Sequence, residues 1–158
     1  MREQQQVTRI AGLLVGGAVI ALDQWSKALA LASPLAAQST EILPFLNLVL
    51  VRNRGVTFGM LNNGIVPWWG LSLLAMAVVA WLGAILVRET RIWPALGLGA
   101  VIGGAIGNVI DRWRHRAVTD FIDLHLNEWH WPSFNIADVA VVVGITLVVI
   151  GMMRRSSP

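Results

Sequence analysis

The sequence of 158 residues has no cysteine and no tyrosine, and Lys27 is its single lysine. The missing cysteine excludes a disulfide framework, a thiol nucleophile, a thiolate metal site and lipidation of the chain's own cysteine. The missing tyrosine leaves eight tryptophans to supply any aromatic belt. Charge is scarce, at 13% of residues, where soluble domains carry about 25%. With 56% hydrophobic residues and a mean hydropathy of +0.65, this is the composition of an integral membrane protein. The net charge of +3 rests on arginine. No basic patch is interleaved with aromatics, so a nucleic-acid partner is not expected, and the arginines read as flanks of membrane helices.

Four apolar stretches approach the ~20 residues needed to cross a bilayer. They fall at about 10–31, 66–87, 94–110 and 136–153. Pro94 suits a first helical turn, where a proline removes no hydrogen bond. The first stretch has a rival reading as a cleaved signal peptide, with Arg2 and Arg9 before an apolar run and Ala28-Leu29-Ala30 behind it. Apolar character continuing to Ala32 favours a retained span. The expected fold is an all-α polytopic membrane protein, one membrane-embedded domain over 1–158, with outer loops at about 33–65 and 112–135. Arginines are denser in the termini and the short loop near residue 90, which places both termini in the cytoplasm. Asp23, Lys27, Asp111 and Asp138 then converge on the outer face together with both long loops.

Within the first outer loop, 42–51 is apolar but too short to cross. A turn at Arg52-Asn53-Arg54-Gly55 and a return through Val56-Thr57-Phe58 suggest a β-ribbon at the outer interface, with an interfacial helix as the alternative. The third span carries Gly99, Gly103 and Gly107 at four-residue spacing. Such a stripe allows close helix approach, either in a dimer or within one bundle. The bundle is favoured, because three other spans are available as partners.

Ionisable groups at membrane depth cost roughly 2.5–3.5 kcal/mol at a helix centre, so they are paired or do chemistry. Asp23 and Lys27, four apart, share a helix face as an ion pair. Asn135 and Asp138 have the spacing of a helix cap, and an acid in the first turn is held ionised by the helix dipole, which suits a base. Asp120 and Asp123 lie in an outer-loop segment with apolar neighbours. Two carboxylates at one site share a proton and can activate water. Chemistry alone leaves Asp120 and Asp123 both open for that role. His115, His125 and His130 with Asp111, Asp120 and Asp123 could instead ligate a metal, but no two histidines have the i,i+4 spacing of helical zinc motifs, so no metal is expected. Ser26 beside Lys27 is a weak signal for a serine–lysine pair, since neighbours point to different helix faces. A small ion-coupled carrier would line a crossing path with polar groups. Here they gather at one face, and 66–87 carries little that is polar but Ser72.

Read in order, five segments resemble one family. They are Asp23-Gln24-Trp25-Ser26-Lys27, then Asn53-Arg54-Gly55-Val56-Thr57-Phe58-Gly59, then the run from Gly103 through Asn108 to Asp111 and Arg112, then Val118-Thr119-Asp120-Phe121-Ile122, and finally Phe134-Asn135-Ile136-Ala137-Asp138. Together they resemble the bacterial lipoprotein signal peptidases, the type II signal peptidase family. The resemblance implies four transmembrane helices with a small extracytoplasmic β-cradle after the first. It implies a membrane aspartic endopeptidase of the bacterial inner membrane. Such an enzyme removes signal peptides from diacylglyceryl-modified prolipoproteins, cleaving before the lipidated cysteine, and is inhibited by globomycin. It maps the catalytic pair to Asp120 and Asp138, and thereby chooses Asp120 over Asp123. Asn53, Gly55, Asn108, Asp111, Arg112 and Asn135 map around that site, and Asp23 and Lys27 to its support. No cofactor is expected. The expected partners are the prolipoproteins and membrane lipids, and the chain is expected to act as a monomer. Thr57 stands where alanine is common in the family, and Arg54 is a bulky neighbour of Asn53.

Overall fold

The computed structural model describes residues 2–36, 38–55 and 67–154. Four helices, α1 (Arg2–Ala32), α2 (Trp68–Arg88), α3 (Ile92–His115) and α4 (Ile136–Met153), form a bundle, and each is long and apolar enough to span a membrane. Large side chains such as Leu14, Leu74, Trp81 and Val142 point outward as a hydrocarbon-facing surface.

The fourth helix has the expected bounds, whereas α1 and α3 are longer than expected. Helix α3 continues to His115, five residues beyond 110. Hydropathy falls there, but no glycine or proline stands between Gly107 and Pro132 to break the helix. It stops at Arg116, in the left-handed region at φ 57°, whose N–H bonds back to the Arg112 carbonyl at 2.9 Å. Asp111 and Arg112 are therefore helical, not loop residues.

Helix α3 is central and packs on the other three. The glycine stripe is used inside the chain. A Cβ on Gly103 would lie 2.5 Å from the Gly16 carbonyl oxygen, and one on Gly99 would collide with the Gly12 carbonyl. Gly97 opposes Gly144, and Gly104 opposes Ala137, so α4 sits equally close on another face. Farther along, Gly107 makes room for the Asp23 carboxylate.

At one end of the bundle sits an antiparallel sheet of order β1-β2-β3-β4, formed by β1 (Thr40–Leu43), β2 (Leu46–Asn53), β3 (Val118–Leu126) and β4 (Trp129–His130). The apolar run 42–51 is broken by a turn at Pro44 and Phe45, so β1 and β2 form a hairpin. The expected return strand through 56–58 lies outside the described residues. The neighbour found on the far side of β2 is β3, from the second outer loop, with Val51 opposite Asp120 and Asn53 opposite Val118. The ribbon expected within one loop is thus part of a sheet shared by both. Phe121 of β3 packs with Ala30 at the end of α1 and with Leu35 just beyond it, fixing the sheet to the helices.

Candidate active site

Strand alternation separates the two loop carboxylates. Val118, Asp120 and Leu124 of β3 line a cavity of about 500 Å³ beneath the sheet. Asp123, three residues on, faces the other way. There it accepts from Asn47 Nδ2 at 3.1 Å and lies 2.9 Å from His130 Nδ1. His125 stacks on His130 at 5.1 Å.

Asp138 reaches the same cavity from α4. It occupies the third helical position behind the N-cap Asn135, and the expected cap is formed reciprocally. The Asp138 N–H donates to Asn135 Oδ1 at 3.1 Å, and the Asn135 N–H donates to Asp138 Oδ2 at 3.2 Å. Asn135 is also the residue that touches both acids, since its Nδ2 donates to Asp120 Oδ1 at 2.6 Å. Asn53 Nδ2 donates to Asp120 Oδ2 at 3.0 Å, and Asn108 Nδ2 to Asp138 Oδ1 at 2.9 Å. Each oxygen of both carboxylates therefore accepts a hydrogen bond. Arg112 lines the cavity too and donates to the Gly55 carbonyl at 3.3 Å, while the Gly55 N–H holds Asn53 Oδ1 at 3.0 Å.

Burial is the main influence on Asp120, raising its pKa to about 6; hydrogen bonds from Asn53 and Asn135 and the charge of Lys27 oppose this, and the charge of Asp138 adds to it. The rest of the cavity wall is apolar, from Leu124, Trp131 and Phe134 to Val139, Val142 and Val143 of α4. Those three valines are 41%, 65% and 49% exposed, so the cavity runs into the lipid-facing side of α4.

Behind the cavity lies a second group. Lys27 Nζ is 2.9 Å from Asp23 Oδ2 and 3.3 Å from Asp111 Oδ2, and all three side chains are at most 4% exposed. Asp23 Oδ1 accepts the Ala137 N–H at 3.0 Å, and Asp111 Oδ2 accepts the Thr119 N–H at 2.8 Å. The charges on α1 and α3 thereby hold the start of α4 and of β3, the two elements that carry Asp138 and Asp120. The expected Asp23–Lys27 pair is present and has Asp111 as a third member. Ser26 Oγ donates to the Asp23 carbonyl at 2.8 Å, so Ser26 and Lys27 form no nucleophile–base pair.

Sequence reasoning missed Gln24. Its amide donates to Asp23, Asp111 and the Gly107 carbonyl at 3.1–3.2 Å and accepts from Arg114 at 3.2 Å. A third polar residue beside Asp23 in an apolar span was the available signal. Thr119 was missed as well; its carbonyl accepts from Asn135 at 3.4 Å.

A sequence profile of the family described as signal peptidase (SPase) II matches residues 15–154. Similar proteins include the lipoprotein signal peptidase of Oleidesulfovibrio alaskensis, 43% identical over 90% of this chain and 94% of its own. That of Coxiella burnetii is 41% identical over 88% and 87%. A solved structure described as a bacterial membrane enzyme, determined by the in meso method at 2.3 Å, superposes with a TM-score of 0.81 at 26% identity, covering 92% of this chain and 89% of that one. A second, at 1.9 Å, gives 0.77 and 26% over 89% and 91%. The four spans, the sheet and these matches place the chain in the signal peptidase II family, as a multi-pass membrane protease.

Proposed function

We propose that this protease removes signal peptides from diacylglyceryl-modified prolipoproteins, cutting before the lipidated cysteine, with Asp120 and Asp138 as its catalytic pair. The observation that carries this reading is that a buried carboxylate on β3, Asp120, and a half-buried one on α4, Asp138, line one cavity, and one wall of that cavity opens toward lipid.

Asp138 starts ionised, favoured by the N-terminus of α4 and by donors from Asn108 and Asn135. Asp120 carries the proton in the reactive form, and its pKa, raised by burial to about 6, keeps that form populated near neutral pH. Asp138 takes a proton from water as the oxygen attacks the scissile carbonyl carbon. Asp120 gives its proton to the carbonyl oxygen, producing a neutral tetrahedral diol. The diol collapses as the C–N bond breaks. A diol hydroxyl returns its proton to Asp120, and the proton held by Asp138 goes to the leaving amine. No covalent intermediate and no cofactor is involved. Asn53, Asn135 and Arg112 supply the hydrogen-bond donors around the reacting atoms. The two acids titrate as a coupled pair.

The end of the bundle bearing Arg9, Arg88, Arg91 and Arg154 faces the cytoplasm, and the sheet and cavity face outward. The protein works as one monomeric domain over 1–158 in a bacterial inner membrane and is open to globomycin-type inhibition.

The test is cleavage of a prolipoprotein peptide with and without its diacylglyceryl group, in nanodiscs, with products mapped by mass spectrometry. The reading requires scission on the N-terminal side of the lipidated cysteine, with little turnover of the unlipidated peptide. Equal turnover of both peptides, or scission elsewhere, would overturn it.

A further inference from the structure

Asn108 presents its two amide atoms to different partners, and its surroundings dictate which atom faces which. Lys27 Nζ lies 2.9 Å from one of them. An ammonium has three N–H groups and no lone pair, so the atom it meets is the oxygen. Asn135 Nδ2 donates to the same oxygen at 3.2 Å. The nitrogen is then the atom 2.9 Å from Asp138 Oδ1. A half-turn of the amide would set N–H groups against the ammonium and against Asn135, and a carbonyl against a carboxylate. The other two amides facing the acids are oriented by the backbone: Asn53 by the N–H of Gly55 and Asn135 by the N–H of Asp138. Asn108 alone among these three depends on a charged side chain. That side chain is itself 2% exposed and held by Asp23 and Asp111.

We propose that Lys27 is a positioning residue, whose ammonium holds the Asn108 carboxamide so that its N–H faces Asp138. The inference rests on the assignment of Asp120 and Asp138 as the reacting pair. Lys27 then does more than balance buried charge, because it sets the direction of a hydrogen bond one residue away.

Replacing Lys27 alone would leave two buried carboxylates without their cation and could prevent folding. The test is therefore Lys27→Met combined with Asp111→Asn, which removes one cation and one carboxylate together. Asp111→Asn alone and Asn108→Ala are measured beside it, and all three substitutions are combined in one further variant. In nanodiscs with the lipidated peptide, Lys27→Met/Asp111→Asn and Asn108→Ala should each lower kcat about a hundredfold, with KM changed less than about twofold. Asp111→Asn alone should lose much less. The combined variant should lose no more than the worse of its parents, because the two substitutions remove one shared interaction. Losses that multiply, or a Lys27 effect that Asn108→Ala does not share, would overturn the proposal.

Should Lys27→Met/Asp111→Asn fail to fold, Lys27→Arg and Asn108→Asp decide. Arginine keeps the cation and can only donate, so it should keep most of kcat, while an aspartate at 108 keeps an anionic partner for Lys27 but offers Asp138 no N–H and should lose kcat about a hundredfold; wild-type kcat in Asn108→Asp, or a hundredfold loss in a folded Lys27→Arg, would overturn the proposal. An Asp120→Asn control separates the two levels. Activity in that variant removes the catalytic assignment itself. An inactive Asp120→Asn beside multiplying losses removes only the role of Lys27.

Discussion

Asp120 and Asp123 have the same side chain, three positions apart on one strand, yet their surroundings differ in kind. Asp123 is satisfied by Asn47 and His130, on the face of β3 away from the cavity. Asp120 is enclosed with a second carboxylate near it, and its pKa is pushed up to about 6. A carboxyl whose pKa is higher folded than unfolded weakens the fold wherever it must ionise. That penalty is fully present above pH 6, is relieved as pH falls through 6, and is gone below the ordinary carboxylate value of 3.8. Two units correspond to at most about 3 kcal/mol. Asp120→Asn cannot ionise and escapes this penalty, although one of its atoms becomes a donor facing a donor. The melting temperature of Asp120→Asn relative to that of wild type should therefore fall between about pH 7.5 and about pH 4.5. A difference that does not change with pH would contradict the assigned environment. At this scale the sequence was most legible where a motif is local. The cap of Asn135 and Asp138 and the pair of Asp23 and Lys27 each span one helical turn. The choice between Asp120 and Asp123 came from family resemblance, because it depends on which side of β3 meets α4.

The helices show a similar division between what is local and what is not. Four-residue glycine spacing announced a close contact on α3, but its partner, the face of α1 bearing Gly12 and Gly16, could be assigned only in three dimensions. The contact matters to the site, because Asp23 and Lys27 ride on α1 about two and three turns beyond Gly16. Gly103→Ala would put a methyl 2.5 Å from the Gly16 carbonyl and should push the helices apart. Overpacking of this kind costs about 1–3 kcal/mol, and it should also depress activity by displacing Lys27. Gly83→Ala on α2 meets no atom within 4 Å and should be neutral or stabilising by up to about 1 kcal/mol. Thermal unfolding and turnover of the two variants in one detergent check this; equal behaviour would mean that α1 and α3 are not closely apposed. The end of α3 escaped the sequence because hydropathy marks where lipid ends, whereas a helix runs on until its backbone is interrupted.

On the scale of the whole molecule, both outer loops close over the bundle as one sheet. Local pattern could expose β1 and β2, since 42–51 is a nearly unbroken apolar run. It could not show that Asn53 pairs with Val118 across the sequence, the pairing that brings the Asn53 amide to Asp120. Strand β3 was missed because Thr119, Asp120 and Asp123 interrupt its hydrophobic run, and those are the residues held by Asn135, Asn53, Asn47 and His130. The polar groups that hid the strand are the ones that tie the sheet to the helices. The central claim is that Asp120 and Asp138 together hydrolyse the peptide bond. It is tested most directly by turnover of the lipidated peptide by wild type, Asp120→Asn and Asp138→Asn, with a metal chelator present and melting temperatures recorded. The account predicts undiminished wild-type turnover and a loss of at least about a thousandfold in each folded variant. Substantial turnover in either variant would contradict it.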